Sequence, residues 1–364
     1  MARIDAFLKL ARDQGCSDVH LAVGVPPMLR IHGELKAIKF RDLGDTEMEQ
    51  YLGEILTQRQ QQQFEAGEDL DFSYVAEEVG RFRVNLFRKL TGIGATFRYI
   101  PNDVPRLDDL GLPPVVKQLS FFSQGLILVT GSTGTGKSTT LAALINEINQ
   151  RDAANIITLE DPIEFVHSSD RSQLIQREVG THVPSFSEGL RAALREDPDI
   201  ILVGELRDAE TIGMAMTAAE TGHLVFGTLH TTTAAKSIDR ILDAIPPGLR
   251  SQGKTFLAQN LHAVVTQTLV KTADSRGRQA ILEILLMNNA IARFIETDRV
   301  YQISSQLQTG REVGMQLMDQ ALMEALQRGE IDADDAFLHA QDKRQFQRYV
   351  SDANLLPKID LAMS

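Results

Sequence analysis

The chain has 364 residues, 43% hydrophobic and 24% charged, with 49 acidic against 37 basic side chains and a formal charge of −12. Dividing the length by a typical domain size gives about 2.4, so two domains are expected, each with enough apolar material for its own core. The single cysteine, Cys16, excludes an internal disulfide and a Cys-rich zinc module and suits a reducing compartment, while the acidic balance argues against a nucleic-acid coat.

In chain order, Ile4, Phe7, Leu8 and Ala11 recur at helical spacing. They predict an amphipathic helix packed on its own domain rather than on a membrane. Short strands follow at Asp18–Val23, Met28–His32, Asp69–Tyr74, Arg81–Phe87 and Gly94–Tyr99. Between them Thr46 and Glu49 form a capping box for a helix running on to Gln58–Gln63. Pro101, Pro105, Pro113 and Pro114 make Ile100–Pro114 an extended linker. Beyond it, apolar strands (Gly125–Thr130, Asn155–Leu159, Asp199–Val203, Leu224–Thr228) alternate with helices (Lys137–Asn149, Phe186–Arg195, Ala209–Glu220). That alternation implies a parallel sheet covered on both faces. From about residue 288 short helices lead to a polar tail. The expected organisation is a domain at 1–99, a linker at 100–114, a nucleotide-binding core at 115–287 and a helical region at 288–364. The longest apolar runs, Leu126–Val129 and Ile200–Val203, fall far short of the ~18 residues of a membrane span, and no signal-peptide cleavage site follows the N-terminus.

The strongest chemical signal is Gly131-Ser132-Thr133-Gly134-Thr135-Gly136-Lys137-Ser138, followed by Thr139, between an apolar strand and a helix. This is a P-loop. Its glycines let backbone N–H groups approach phosphate oxygens, Lys137 reaches the β- and γ-phosphates, and Ser138 ligates Mg²⁺ of bound ATP. The strand Asp199–Val203 runs into Gly204 and Glu205, so Glu205 is the candidate carboxylate for Mg²⁺. Glu160, Asp161 and Glu164 follow another buried strand, and such a cluster can orient an attacking water and accept its proton. Spacing does not choose among the three.

His223 and His230 flank the strand Leu224–Thr228, roughly 20 Å apart, too far to share a metal. His230, at the C-terminal end, faces the ligand crevice of such a fold and could sense the γ-phosphate. Arg191 and Arg195 lie one turn apart on a helix begun by Ser185 and Glu188, which suits a shared anionic target. Arg81, Arg83, Arg88 and Arg98 lie on or beside two consecutive strands, where arginine fingers could neutralise transferring phosphate.

The ordered segments GSTGTGKST, ITLEDPIEF, DPDIILVGELRD and ETGHLVFGTLHTTTA closely resemble the secretion and pilus ATPases. In that family they are the Walker A motif, Asp box, atypical Walker B and His box. The resemblance extends to SDVHLAVGVPPMLRIHG and GRFRVNLFRK, and so covers essentially the whole chain. Within the family the chain is similar to the type IV pilus retraction branch, the PilT/PilU family. Assembly-side relatives carry a tetracysteine zinc module and a further N-terminal domain, and one cysteine with a start directly at the SDVH domain argues against that branch.

The resemblance implies an N-terminal PAS-like α+β domain, a RecA-like P-loop NTPase domain and a C-terminal helical extension. It implies a homohexamer that hydrolyses Mg-ATP to retract pili in twitching motility. Glu164 would be the catalytic glutamate, Glu205 the Walker B acid, His230 the γ-phosphate sensor, and Arg83 and Arg98 the fingers. The implied partners are an inner-membrane platform protein of the pilus machine and a paralogous retraction ATPase, with the chain cytoplasmic and peripheral to that membrane. No nucleic acid is expected. Retraction ATPases carry a motif of the form AIRNLIRE, which Ala290–Glu296 matches in part, so an accessory PilU-like role is the alternative. A related secretion ATPase, a nucleic-acid translocase and a non-hydrolysing regulatory module are the other classes weighed.

Overall fold

The computed structural model describes residues 2–31, 34–100 and 104–356. His32, Pro101 and the end of the polar tail lie outside them. The described residues form two compact units. One holds the residues up to Val104 together with Pro162–His167 and Gly180–His182, and the other holds the rest.

The first unit contains strands β1 (Asp18–Ala22), β2 (Met28–Ile31), β3 (Glu34–Ala37), β4 (Leu70–Ala76), β5 (Gly80–Lys89) and β6 (Gly92–Ile100). They form an antiparallel sheet in the order β3-β2-β1-β6-β5-β4. Its helices are α1 (Asp5–Asp13), α2 (Asp45–Gly53) and α3 (Gln58–Glu65). Ile4, Phe7, Leu8 and Ala11 are all buried in this unit's core with Phe82 and Phe97, so the apolar face of α1 is used internally. The expected single helix from Thr46 to Gln63 is two helices. Gly44, without a side-chain bond, caps α2 in place of Thr46, and the capping box belongs to Thr57 and Gln60 at the start of α3. Thr57 adopts extended backbone and takes the Gln60 N–H, which forces a break after Gly53.

The second unit contains β7 (Gly125–Thr130), β8 (Asn155–Glu160), β9 (Gln173–Glu178), β10 (Ile200–Val203), β11 (Leu224–Leu229), β12 (Leu261–Lys271) and β13 (Arg278–Leu286). The order is β13-β12-β7-β11-β10-β8-β9, parallel except for β13. Helices α4 (Pro114–Gln118), α5 (Lys137–Arg151), α6 (Phe186–Ala193), α7 (Ala209–Glu220), α8 (Ala234–Ala244) and α9 (Arg250–Asn260) accompany it. The short helices α10 (Asn289–Glu296), α11 (Ile303–Thr309), α12 (Met318–Gln327) and α13 (Ala333–His339) follow. Every residue of β7 and β11 is buried, which explains their unbroken apolar sequences. Within the stretch expected as an extended linker, residues 107–114 pack on the second unit's core or begin a helix. Leu107 is buried in the same core as Val116 and Ile127, and Pro114 takes the first position of α4, where its missing N–H costs nothing.

Candidate active site

The P-loop lies at the C-terminal edge of the parallel sheet, between β7 and α5. Gly131 has φ +140°, and a Cβ there would lie 2.3 Å from the backbone oxygen of Gln267 on β12, so no other residue fits. Gln267 also grips the loop with its side chain. Its amide donates to the Thr135 carbonyl at 2.7 Å and accepts the Thr140 hydroxyl at 2.8 Å. Thr135 donates to the Ser132 carbonyl at 2.9 Å. The Lys137 ammonium lies across the loop, donating to the carbonyls of Gly131 and Ser132 at 2.7 and 2.9 Å. No side chain caps α5, so its first N–H groups stay available to an anion. Ser132, Thr133, Gly134 and Ser138 are exposed, and Gly136 and Thr139 half-buried. A cavity of about 470 Å³ opens beside the loop, between Gly131–Thr135 and a wall that includes Thr268, Leu269, Met318 and His339. That is the scale of a small-ligand site.

Glu205 follows β10 on the same sheet edge. Its carboxylate pairs with Arg207 at 2.7 Å, and His230 Nε2 lies 3.3 Å from its other oxygen. Gly204 stands where Walker B strands usually carry Asp. A Cβ there would come within 2.9 Å of the Leu159 carbonyl, which explains the small residue. Of the carboxylate cluster, Glu160 is already engaged: it accepts from Thr158 at 2.6 Å and from Gln176 at 3.0 Å. Asp161 lies 3.7 Å from Arg207. Glu164 is exposed and has no hydrogen bond or ion pair among the described residues. Three residues on, burial pushes the His167 imidazole down to about 4, so it stays neutral near pH 7.

His230 directly follows β11 and is half exposed, whereas His223 precedes it, on the opposite edge, and bonds the Ala218 carbonyl at 2.9 Å. Arg191 pairs with Glu210 on α7 at 2.7 Å. Arg195 lies beyond α6, which ends at Ala193 rather than at Arg195, and its guanidinium turns back to the Arg191 carbonyl at 3.0 Å. At the helix start, Ser185 accepts the Glu188 N–H at 3.2 Å.

In the first unit, Arg83 and Arg98 are directly opposite each other on β5 and β6. Each is held by an acid, Arg83 by Asp71 at 2.6 Å and Arg98 by Asp18 at 2.9 Å. Burial would raise the Asp18 carboxyl, but hydrogen bonds from Ser17 and Arg98 and the Arg98 charge outweigh it and hold the group below its usual range. Arg88 packs over the Phe64 ring and donates to the Phe64 carbonyl, a structural use. Sequence reasoning missed Gln267, whose only signal was a polar residue interrupting an apolar run.

A family model described as "Type II/IV secretion system protein" matches residues 73–345. The chain is 46% identical over 333 residues to a Pseudomonas aeruginosa protein named "Type IV pilus retractation ATPase PilT", covering 92% of this chain and 96% of the relative. It is 34% identical over 365 residues to "Type IV pilus ATPase PilU" of the same species, covering 99% and 96%. Its fold superposes on "Crystal Structure of the Pilus Retraction Motor PilT and Bound ADP" with a TM-score of 0.88 and 40% identity, over 96% of this chain and 99% of that one. With a RecA-like core carrying an intact P-loop behind a separate N-terminal domain, the chain belongs to the type II/IV secretion ATPase family and is an ATP-hydrolysing enzyme.

Proposed function

We propose that the chain is a motor that couples Mg-ATP hydrolysis to retraction of a type IV pilus. The observation that carries this reading is the near full-length similarity, at 46% identity, to a protein named as a retraction ATPase, together with the P-loop, Glu205 and His230 gathered on one sheet edge. The domain at 1–99, joined through 100–114 to a core at 115–287 and a helical region at 288–364, is the working division.

The residues fit a magnesium nucleotide. Among the described residues no group of three His, Cys, Asp or Glu side chains could hold a metal alone. The Ser138 hydroxyl and the Glu205 carboxylate are hard oxygen donors of the kind Mg²⁺ takes alongside phosphate and water. When bound, the ion supplies charge neutralisation on the β- and γ-phosphates. The P-loop N–H groups from Ser132 to Thr139 cradle the phosphates, and Lys137 exchanges its two loop carbonyls for phosphate oxygens. Glu164, with no competing partner, orients the attacking water and takes its proton, whereas Glu160 is spent on Thr158 and Gln176. His230 donates to a γ-phosphate oxygen. Arg83 and Arg98 leave their acids to stabilise charge in the transition state, and Arg191 and Arg195 lend further positive charge to the nucleotide.

The working assembly is a homohexameric ring docked on the platform protein of the pilus machine at the cytoplasmic face of the inner membrane. No described helix is long and apolar enough to cross a membrane. A second reading, an accessory PilU-like paralogue, is favoured by the 365-residue alignment to the PilU-named relative. The test is a deletion strain. Surplus surface pili without twitching, rescued by the wild-type chain but not by Lys137→Ala, is the expected result. Pili that still retract, but weakly, indicate the accessory role, and bare cells overturn both.

A further inference from the structure

Glu283 on β13 is a carboxylate only 3% exposed, directly opposite Thr266 of β12. Burying such a group is costly unless donors surround it. Here the donors come from two separate helices. The N–H of Ala234, the first residue of α8, donates at 2.7 Å, and the N–H of Met318, the first residue of α12, donates at 3.3 Å. Both are helix N-termini, where an acceptor is favoured. The first turn of α8 already has its own cap, since Thr233 accepts the Lys236 N–H at 3.1 Å, so Glu283 does more than terminate a helix.

The position of Ala234 matters because it stands four residues after His230. The loop between them is also tied inward. Thr231 bonds Ser237 at 2.6 Å, Ser237 reaches Thr130 at 3.4 Å, and Thr130 bonds Thr266 at 2.8 Å, beside the Gln267 that grips the P-loop. One acceptor therefore fixes the loop that carries His230 to β13, through whose partner strand β12 it is joined to the P-loop strand β7, and fixes the C-terminal helix α12 to the same point.

We propose that Glu283 is a positioning residue for hydrolysis: it sets His230 relative to the P-loop and links that setting to the seat of the C-terminal helices. This rests on the reading of His230 as the γ-phosphate sensor. The test is steady-state ATPase kinetics and thermal melting on the full chain for Glu283→Gln, His230→Ala and the double variant. Glutamine keeps the shape but offers only one oxygen, so one of the two N–H groups faces an amide nitrogen. Expected are a cooperative melt with its midpoint lowered by a few degrees for the lost buried acceptor, a KM for ATP within about twofold, and a kcat lower on the order of tenfold at a temperature below the melt, as for a small misplacement of a reacting group. The double variant should be no slower than His230→Ala alone, because the two act through one route. Should Glu283→Gln show no cooperative melt, Glu283→Asp, which keeps the charge with a shorter reach, is measured for the same split. Unchanged kcat overturns the proposal. So does a loss of kcat accompanied by a KM raised well beyond twofold, which marks a merely structural group, or a loss that adds in full to that of His230→Ala. Normal turnover in His230→Ala instead removes the sensor reading itself, a different result from a slow His230→Ala beside a normal Glu283→Gln.

Discussion

His223 and His230 bracket the same strand, β11, yet their surroundings differ in kind. On the N-terminal edge, His223 bonds the Ala218 carbonyl, His262 stacks on Phe122 at 4.1 Å and bonds the Gln124 carbonyl, and Arg151 covers Phe121. These polar groups are consumed by their neighbourhood. On the C-terminal edge, the Lys137 ammonium rests on two loop carbonyls, Glu205 pairs with Arg207 and His230, and no side chain caps the start of α5. The difference follows from the parallel sheet, whose strand ends and helix starts converge on one edge. On the proposed function, polar residues are therefore structural on one side and chemical on the other.

The largest effect expected from breaking this contrast is at Lys137. Lys137→Ala should abolish phosphate release and weaken nucleotide binding, measured by equilibrium titration. Next comes the carboxylate pair. Glu164→Gln should retain ATP binding and lose about 10²-fold or more in turnover. Glu160→Gln should lose less, since its hydrogen bonds orient a strand end; a dead Glu160→Gln beside a normal Glu164→Gln reverses the assignment.

Arg83→Ala and Arg98→Ala should bind ATP nearly normally while losing most of their turnover, because charge stabilisation acts chiefly in the transition state. Mixing Arg83→Ala with Lys137→Ala subunits, with exchange verified, should partly restore activity if the arginines act across subunits. The smallest effect is on stability. The unfolded chain protonates His167 near its ordinary 6.5, whereas the folded chain resists until about 4. Stability should thus fall as pH drops through this window, and His167→Gln should flatten the melting profile between those limits.

Much of this was legible in the sequence for physical reasons. The buried parallel strands β7, β10 and β11 read as unbroken apolar runs, and the P-loop spacing is dictated by phosphate geometry. The strands that escaped notice, β9, β12 and β13, carry polar residues where the fold uses them: Gln176 on Glu160, Gln267 on the P-loop, Glu283 on two helix starts. Their partners lie far off in sequence, 127 residues in the case of Gln267 and Thr140, so no local pattern announces them. Short β3, fully exposed, has no alternation to read. At the site, the apolar runs placed Glu205 and His230 just beyond their strands, as observed, whereas spacing gave no means of ranking Glu160 against Glu164, and only the family resemblance chose between them. The hydrogen bonds of Glu160 to Thr158 and Gln176, which only the folded chain supplies, support the same proposed choice.

The contrast between the edges is tested most directly by one paired measurement, steady-state phosphate release from His230→Ala and His223→Ala under saturating Mg-ATP. The two variants remove the same ring from opposite ends of one strand. The account predicts that His230→Ala loses most of its turnover with ATP binding retained, while His223→Ala runs at close to the wild-type rate. Equal losses in both, or a loss confined to His223→Ala, would contradict it.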